Sequence, residues 1–452
     1  MSKTVPPGPR NLWPGQQLLA FRRSPTDFLM RVAREYGDIS HFHLGTRSLY
    51  FLNRPDYIKD VLVTRQDNFR KGIALQRAKF LFGEGLLTSE GEQHRRQRRL
   101  VLPAFHSQRV ASYGQMIVGH SVLTRESWEE KREFDLAREM RRLTLLIVCR
   151  ALFGADVGDE SERVDEAVTS VITRFQLFAS PWSNILSVFK RLSPATGRHA
   201  ATTRDKLDEI IFRIIFERKR KGLDGDDLLS MLLAARDEAS NGSALSDTQV
   251  RDEVITLFMA GHETTANALT WTWYLLSQHP VIEARFHDEI DAVLSGRLAS
   301  VADVPRLRYV EMVFAEAMRL YPPSWLLSRL AIDDYEVGGY ELPAGSLVIV
   351  SPYVMHHDER YFPEPFRFDP ERWAGQARGS RPEFSYFPFG GGKRRCIGEG
   401  LAWLEGVLIL ATLAQSWRMT TVTTRPPELQ PGMVLRMKHQ MSVSPERRTH
   451  FN

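Results

Sequence analysis

The residue of this chain whose type and neighbours point most clearly to chemistry is a cysteine preceded by three glycines. Cys396 follows Gly390–Gly392, and the sequence from Glu399 onward has helical spacing. At a helix start, backbone amides without partners and the positive end of the helix dipole stabilise a thiolate. Arg394 and Arg395 act in the same direction. These residue types predict an anionic sulfur that could bind a soft metal such as iron.

The glycines before Cys396 suit a flat ligand better than the other groups that glycine-rich loops bind. Glycine lets the backbone approach a macrocycle, because no Cβ stands in the way. A phosphate loop would need glycine in place of Phe387 and Ser or Thr in place of Arg394, and a dinucleotide fingerprint would need glycine in place of Trp403. Zinc would need a second cysteine or a close pair of histidines. An inert, buried Cys396 remains the alternative.

Polar residues interrupt a long helical pattern that runs from Val250 to Leu276. Thr264 could donate to the carbonyl one turn back, and with Gly261 this could open the helix locally into a groove. Glu263 beside it places an acid next to an alcohol. The alternative is a kinked helix with a solvated polar face. His262 lacks a second histidine in zinc-protease spacing, so we predict a packing role for it.

Two further charged patterns are weaker by themselves. Glu316 and Arg319 stand three residues apart among apolar neighbours, but pairs of this spacing are common on surfaces and contribute little stability. Arg372 is a candidate third partner that would make them a buried network. The basic run of residues 94–99 begins a predicted helix, and most such runs are solvated faces.

The ten residues from Phe389 to Gly398 resemble the haem-binding loop of the cytochrome P450 family in every fixed position. This resemblance implies that the cofactor is haem b and that Cys396 is its thiolate ligand. It also implies that Arg394 contacts a haem propionate and that Phe389 packs beside the sulfur. Glu263 and Thr264 resemble the acid and alcohol pair of the family, which implies that they deliver protons to bound dioxygen and that the groove at Gly261 admits dioxygen and water.

The same resemblance assigns most of the remaining site residues. The expected catalytic residues are Glu263 and Thr264. The expected cofactor-binding residues are His94, Arg98, Ala260, Gly261, Arg329, His356, Phe389, Arg394 and Gly398, although many relatives carry Trp at the position of His94. The expected substrate-binding residues are Leu257, Ala260, Trp325, Leu326 and Met433. The loop around 75–87 and the segment near Phe175 and Phe178 are also expected to contribute. Glu316, Arg319 and Arg372 are expected to be structural.

The elements that position these residues can be predicted in outline. Helical spacing dominates from about 95 to 321, and residues 39–52 resemble a hairpin with its turn at 45–47. Strand character returns at 335–351 and 420–443. We find no internal repeat or low-complexity linker, so we predict a mainly α protein with small β-sheets (α+β). The resemblance implies the cytochrome P450 fold, as a single haem domain over residues 1–452.

Composition limits the compartment and the partners. The chain is 43% apolar and 25% charged, its net charge is only +5, and it has two cysteines. These values fit a globular protein without a disulfide framework, and the mild charge gives no argument for nucleic acid. There is no signal-peptide layout and no apolar run long enough to span a bilayer. We therefore predict a cytoplasmic monomer with no membrane anchor and no nucleic-acid partner.

The predicted activity is that of a haem-thiolate monooxygenase. It would insert one atom of O₂ into a lipophilic small molecule, such as a fatty acid, terpenoid or steroid. No flavin or iron–sulfur motif follows the haem loop, so electrons are expected from a ferredoxin or flavodoxin with its reductase. Lys393 and the arginines outside the propionate sites would offer this acidic donor a positive face. Two alternatives stay open: a haem-thiolate isomerase or dehydratase, and a haem electron carrier or sensor.

Overall fold

The structure is a computed structural model of the 452-residue chain. It describes residues 5–13, 15–154, 194–222, 225–238, 242–375 and 379–448. The expected substrate segment near Phe175 and Phe178 lies outside these described residues.

α-Helices are the predominant secondary structure of the described residues. In chain order they are α1 Gln16–Arg23, α2 Pro25–Tyr36, α3 Pro55–Lys59, α4 Ile73–Phe82, α5 Gly91–Val101, α6 Ser107–Ser112, α7 Gly114–Ser127, α8 Leu136–Phe153, α9 Pro194–Lys221, α10 Leu228–Ala234, α11 Asp247–Gln278, α12 Pro280–Leu294, α13 Arg308–Leu320, α14 Pro352–His356 and α15 Glu399–Ala414.

The strands are short and lie mostly towards the two chain ends. In chain order they are β1 Ile39–Leu44, β2 Arg47–Leu52, β3 Phe69–Lys71, β4 Phe134–Asp135, β5 Arg236–Asp237, β6 Ser243–Ala244, β7 Leu327–Ala331, β8 Tyr335–Val337, β9 Tyr340–Leu342, β10 Leu347–Val350, β11 Trp417–Thr421, β12 Leu429–Pro431, β13 Leu435–Met437 and β14 Ser442–Arg447.

The chain divides into two compact units, each assembled from separate stretches of sequence. The first unit contains Met1–Gln76, Ala315–Cys396 and Leu429–Arg436. The second unit contains the rest of the chain and therefore holds most of the long helices. Cys396 is the last residue of its stretch in the first unit.

A five-stranded sheet forms the centre of the first unit. Its strand order is β1-β2-β10-β7-β3, with β10 parallel to β2 and the other pairs antiparallel. One face is apolar and packs in a buried cluster with Ile58, Val61, Phe384 and Phe387. Burying this face fixes the register of the strands, since a slip by one residue would turn the apolar side chains outward. The cluster also fixes the chain just before the glycine loop.

The long helix α11 is the main element of the second unit. It begins at the Ser246 cap, where Ser246 and Gln249 form a reciprocal capping box. From Val250 to Ala266 nearly every side chain is buried, because α8, α9, α10 and α15 pack around this helix. A small sheet of order β11-β14-β4 completes this unit, together with the β5-β6 pair.

The structure agrees with the outline predicted from sequence. The hairpin is present as β1 and β2, and the described residues between 91 and 320 are mainly helical, with only short strands between the helices. The short strands β3 to β7 were missed because two to five residues carry no readable alternation. The extent of one haem domain stays a prediction. Among the described residues, no helix combines the length and apolarity needed to cross a bilayer.

Candidate functional site

The glycine loop leaves the side chain of Cys396 accessible. Cys396 is exposed, whereas Cys149, on α8, is buried. The Cys396 amide donates to the Phe389 carbonyl at 3.0 Å, which closes the loop and places these two residues side by side. Gly392 has φ +66°, and a Cβ there would overlap the Leu62 carbonyl, so only glycine fits. The exposed thiol contradicts the alternative of an inert, buried cysteine.

A buried ion pair supports the segment that leads to this loop. Glu316 and Arg319 are both fully buried, and Arg319 donates two hydrogen bonds of 2.8 Å to the two Glu316 carboxylate oxygens. Arg319 also donates to the carbonyls of His356 and Pro365, at 2.8 and 2.7 Å. The pair is therefore an internal brace of the first unit, and the alternative of an exposed surface pair is excluded.

The expected third partner lies next to this pair. Arg372 Nε is 3.3 Å from Glu316 Oε1, and the Trp373 indole donates to Glu316 Oε2 at 2.9 Å. The Asp369 amide donates to Glu316 Oε1 at 3.1 Å. Because one carboxylate receives donors from both α13 and the 369–373 segment, it holds that segment against the helix.

His356 does not suit the cofactor role expected for it. It is 0% exposed, so it has no surface left for a propionate. Its Nε2 accepts the Phe387 amide proton at 3.0 Å, and its ring packs on Tyr386 with centroids 4.9 Å apart. Burial lowers the pKa of His356 well below the usual value, which keeps the ring neutral. We therefore assign His356 to the brace, since it ties the Arg319 network to the chain before the glycine loop.

Three cations gather around strand β3 in the first unit. Lys71 and Arg329 are opposite each other in the β3-β7 pair, and both are buried. Directly opposite residues of an antiparallel pair lie on the same face. Arg394 reaches the same strand by donating to the Phe69 carbonyl at 2.9 Å. An anion stabilises buried cations grouped in this way, and a carboxylate such as a propionate is of the right type.

On α11, several side chains bond the backbone around the acid and the alcohol. The Thr264 hydroxyl donates to the Ala260 carbonyl at 2.6 Å, as expected from sequence. Asn267 donates to the Glu263 carbonyl at 2.7 Å, and the Thr144 hydroxyl of α8 lies 2.9 Å from the His262 carbonyl. Side chains that bond helix carbonyls compete with the backbone ladder and loosen it locally.

An open stripe on α11 accompanies this loosened stretch. Between Val250 and Ala266, the residues that are not buried are Ala260, Gly261 and Thr264. Positions i, i+1 and i+4 share one helix face. Glu263 lies off this stripe and is 2% exposed. The helix therefore offers a narrow accessible surface of small residues and one hydroxyl, with a buried acid beside it.

The buried histidine of the same helix has a packing role. His262 is 2% exposed, and its Nδ1 lies 3.1 Å from the Phe258 carbonyl. Its ring packs against the Phe258 ring. This matches the prediction of a packing residue.

The basic run on α5 divides into two faces. His94 is buried and Arg98 is half-buried, whereas Arg95 and Arg99 are exposed. The inward face therefore carries the two residues expected to contact the propionates.

The expected positive face for an electron donor is largely neutralised. Arg96 and Arg99 each lie 3.3 Å from the buried Asp237 carboxylate. Lys393 Nζ lies 2.7 Å from Asp67. Since these cations have carboxylate partners, they contribute less net charge than the sequence suggested.

The expected substrate residues fall in two places. In the first unit, the Trp325 indole donates to the Gly432 carbonyl at 2.9 Å, which brings Trp325 and Leu326 to the turn that carries Met433. In the second unit, Leu257 and Ala260 lie on α11, three residues apart.

The loop around 75–87, which is also expected to contribute to substrate binding, is held against α11 by two carboxylates. Asp252 accepts the Glu84 amide at 2.7 Å, and Glu253 accepts the Leu86 amide at 3.0 Å. Two adjacent acids thus hold one short loop against the helix.

These residues suit a haem better than a metal held by side chains alone. Among the described residues, no group of three or more His, Cys, Asp or Glu could hold a metal ion. A single exposed Cys396 suits a cofactor whose macrocycle supplies the other ligands. The cations Lys71, Arg329 and Arg394 suit two propionates, and the first unit thus fits a haem by its donor set.

Sequence reasoning missed several residues that the structure places near this chemistry. Lys71 stands in a three-residue strand, and its charge alone gave no signal. Asp252 and Glu253 look like any acidic pair on a helix. Glu405 could have been found, because it is a carboxylate within α15, a helix that is apolar nearly all round. Thr265, its partner, was passed over beside Thr264.

The chain is similar to known bacterial enzymes along almost its whole length. It is 39% identical to cyclooctatin synthase of Streptomyces melanosporofaciens over 98% of this chain and 93% of that one. It is 36% identical to cyclooctat-9-en-7-ol 5-monooxygenase of the same organism, over 89% and 87% of the two chains. It is 35% identical to pentalenene oxygenase of Streptomyces avermitilis, over 88% and 87%.

Family and fold comparisons agree with these relatives. The crystal structure of the cytochrome P450DA haem domain superposes with a TM-score of 0.89, at 24% identity and over 98% of both chains, which confirms the predicted fold. The family model for cytochrome P450 matches residues 6–444. The chain therefore belongs to the cytochrome P450 family and is a haem-thiolate monooxygenase.

Proposed function

We propose that Cys396 is the thiolate ligand of the haem and that Glu263 and Thr264 deliver the protons of the monooxygenase reaction. The observation that carries the second part is the open stripe of α11, where an accessible Thr264 hydroxyl stands beside a buried acid. When bound, the haem supplies the iron chemistry that reduces dioxygen and inserts one of its atoms into the substrate.

The other residues of the proposed site bind the cofactor or take part in proton transfer. Arg329, Arg394 and Lys71 bind haem propionates in this proposal. The family resemblance adds His94 and Arg98 to the proposed propionate ligands. On α11, the Thr264 hydroxyl holds its proton on the Ala260 carbonyl at 2.6 Å until dioxygen competes for it. Glu263 then replaces the proton that the hydroxyl gives up.

We expect Thr264→Val to uncouple electron consumption from product formation. Valine keeps the side-chain shape but removes the hydroxyl, so dioxygen loses its proton donor. Product formed per electron pair should fall by roughly 10²-fold, the lower end of what positioned proton transfer contributes, and hydrogen peroxide should rise. Both are measured by product quantification and a peroxide assay during reductant oxidation.

Two further variants serve as controls for this measurement. Thr264→Ser should restore most of the coupling because it restores the hydroxyl. Thr272→Val is the matched control, since the Thr272 hydroxyl donates only to Ala268 of its own helix. Unchanged coupling in Thr264→Val would remove Thr264 from the proton path.

The substrate belongs, in this proposal, to the terpenoids among the lipophilic classes considered. Two of the relatives are named for an alcohol with a ring-type carbon skeleton, cyclooctat-9-en-7-ol, and for the hydrocarbon pentalenene. The expected lining residues Leu257, Trp325, Leu326 and Met433 are apolar, which suits a hydrocarbon body.

We expect terpenoid hydrocarbons and alcohols to bind more tightly than fatty acids or steroids. A carboxylate would lose its hydration among apolar lining residues, and this desolvation lowers affinity. Titration of the haem protein with members of the three classes, followed by the shift of the Soret band, measures this order. Tightest binding by a fatty acid would contradict the proposed substrate class and leave the haem assignment untouched.

The electrons come, we further propose, from a separate ferredoxin or flavodoxin with its reductase. Arg395 is exposed beside Cys396 and offers a positive charge to an acidic partner.

A further inference from the structure

A buried carboxyl group on α15 has no counter-charge within the part of the chain that the structure describes. Glu405 stands nine residues after Cys396 on this helix and is 4% exposed. Its Oε2 lies 3.4 Å from the Thr265 hydroxyl of α11, and its Oε1 has no hydrogen-bond partner among the described residues. An ionised carboxylate in such a setting would pay a large desolvation cost, so the neutral acid is favoured.

Charged side chains on the neighbouring elements do not offset the desolvation cost of an ionised Glu405. Helices α6, α7, α11 and α12, strand β11 and the segment Val301–Arg306 all pack on α15. No described charged side chain of these elements forms an ion pair with Glu405. These side chains include Arg109, Arg125, Glu263, Glu283 and Arg418. Burial raises the pKa of Glu405 to about 8, and only the Thr265 hydroxyl opposes it. At neutral pH the group therefore keeps its proton.

Thr265 differs from other threonines of its helix. The hydroxyls of Thr264, Thr270 and Thr272 each donate to the carbonyl four residues earlier in α11. The Thr265 hydroxyl is directed instead to α15. It is the residue after Thr264 and the second after Glu263, so whatever holds Thr265 also sets the rotation of the acid and alcohol pair.

We propose that Glu405 is a neutral carboxylic acid that, through Thr265, positions the Glu263–Thr264 segment of α11. This inference rests on the proposed function of Glu263 and Thr264. Glu405 is a positioning residue, because its contact is to Thr265. Loss of its proton leaves a buried anion with one long hydrogen bond, and α11 or α15 must then shift to admit water or a cation.

The protonation state of Glu405 has a direct spectroscopic test on the haem-loaded protein. Infrared difference spectra between about pH 6 and about pH 9 should show a protonated carboxyl band that is lost near pH 8. Glu405→Gln should lack this band. The matched control Glu283→Gln should retain it, although Glu283 is also buried and its pKa is raised to about 7. A band that is still lost near pH 8 in Glu405→Gln overturns the proposal, whereas a band lost near pH 7 belongs to Glu283 and disappears in Glu283→Gln.

The positioning role predicts a pH dependence of coupling. One pH unit above its pKa, an acid retains only about a tenth of its protonated form. Product per electron pair in the wild type should therefore fall several-fold between about pH 7 and about pH 9. Glu405→Gln, which is neutral at every pH, should not show this fall. Thr265→Val should be uncoupled throughout, and Thr265→Ser should recover.

Failure of this proposal is distinguishable from failure of the proposed function. If Thr264→Val leaves coupling unchanged, the proton path is wrong, while the carboxyl band still decides the state of Glu405. If Thr264→Val uncouples but Glu405→Gln keeps the alkaline fall, or Thr265→Val behaves as wild type, the positioning role is wrong. Thr272→Val, with a hydroxyl bonded within its own helix, should stay coupled in either case.

Discussion

Replacement of Cys396 by serine is expected to abolish monooxygenase activity and the thiolate-type band of the reduced carbon monoxide complex. A serine hydroxyl is far less acidic than a thiol, so the iron loses its soft anionic ligand. Cys396 is exposed in a loop closed by its own backbone, so the change should leave the fold intact. The measurements are the carbon monoxide difference spectrum, haem content and circular dichroism.

The second cysteine provides the matched control for this variant. Cys149→Ala removes the other thiol of the chain, which is buried on α8. It should keep the thiolate-type band and the activity, with at most a loss of stability from the smaller side chain. A thiolate-type band that survives in Cys396→Ser and disappears in Cys149→Ala would reverse the assignment.

Replacement of Arg319 by leucine should produce the largest loss of stability in the first unit. It removes the guanidinium that donates to both carboxylate oxygens of Glu316 and leaves this buried acid with the weaker set of donors from the 369–373 segment. It also removes donors from the carbonyls of His356 and Pro365. Breaking a buried pair by removing one partner costs about 3–5 kcal/mol. Urea unfolding followed by circular dichroism measures the loss, and haem retention should fall in parallel because the brace supports the glycine loop.

An exposed pair of the same spacing separates burial from charge. Arg132 and Glu129 also stand three residues apart, and both are exposed. Arg132→Leu should change stability by less than about 1 kcal/mol, as surface pairs do. Equal effects of the two substitutions would show that the Glu316–Arg319 pair acts as an ordinary surface pair, contrary to its burial.

His356 shows where resemblance along the sequence was a poor guide to role. Its position in the chain suggested a contact with a propionate, but whether a histidine meets a cofactor depends on what covers it. In the fold it is covered completely and bonded to Phe387. Arg372 shows the opposite case, because a weak expectation from sequence became a 3.3 Å contact with Glu316. Both outcomes depend on contacts between residues that are 31 or more positions apart.

The sequence by itself determined the features that are local. Cys396 could be identified because its loop is formed by ten consecutive residues, and α11 could be identified because its helical pattern runs from Val250 to Leu276. Thr264 could be paired with the Ala260 carbonyl because a helix fixes the distance between positions four apart. The predicted cofactor and reaction class followed from the resemblance of this local sequence to the cytochrome P450 family.

Only the tertiary structure decided which distant residues meet. The parallel pairing of β10 with β2 joins residues about 300 positions apart, and this sheet brings Lys71 opposite Arg329. Burial decided the character of Glu405, since the same carboxyl on an exposed helix face would be an ordinary anion. The role of Cys396 could be predicted from its neighbours in the chain. Which residues support its loop was decided by packing.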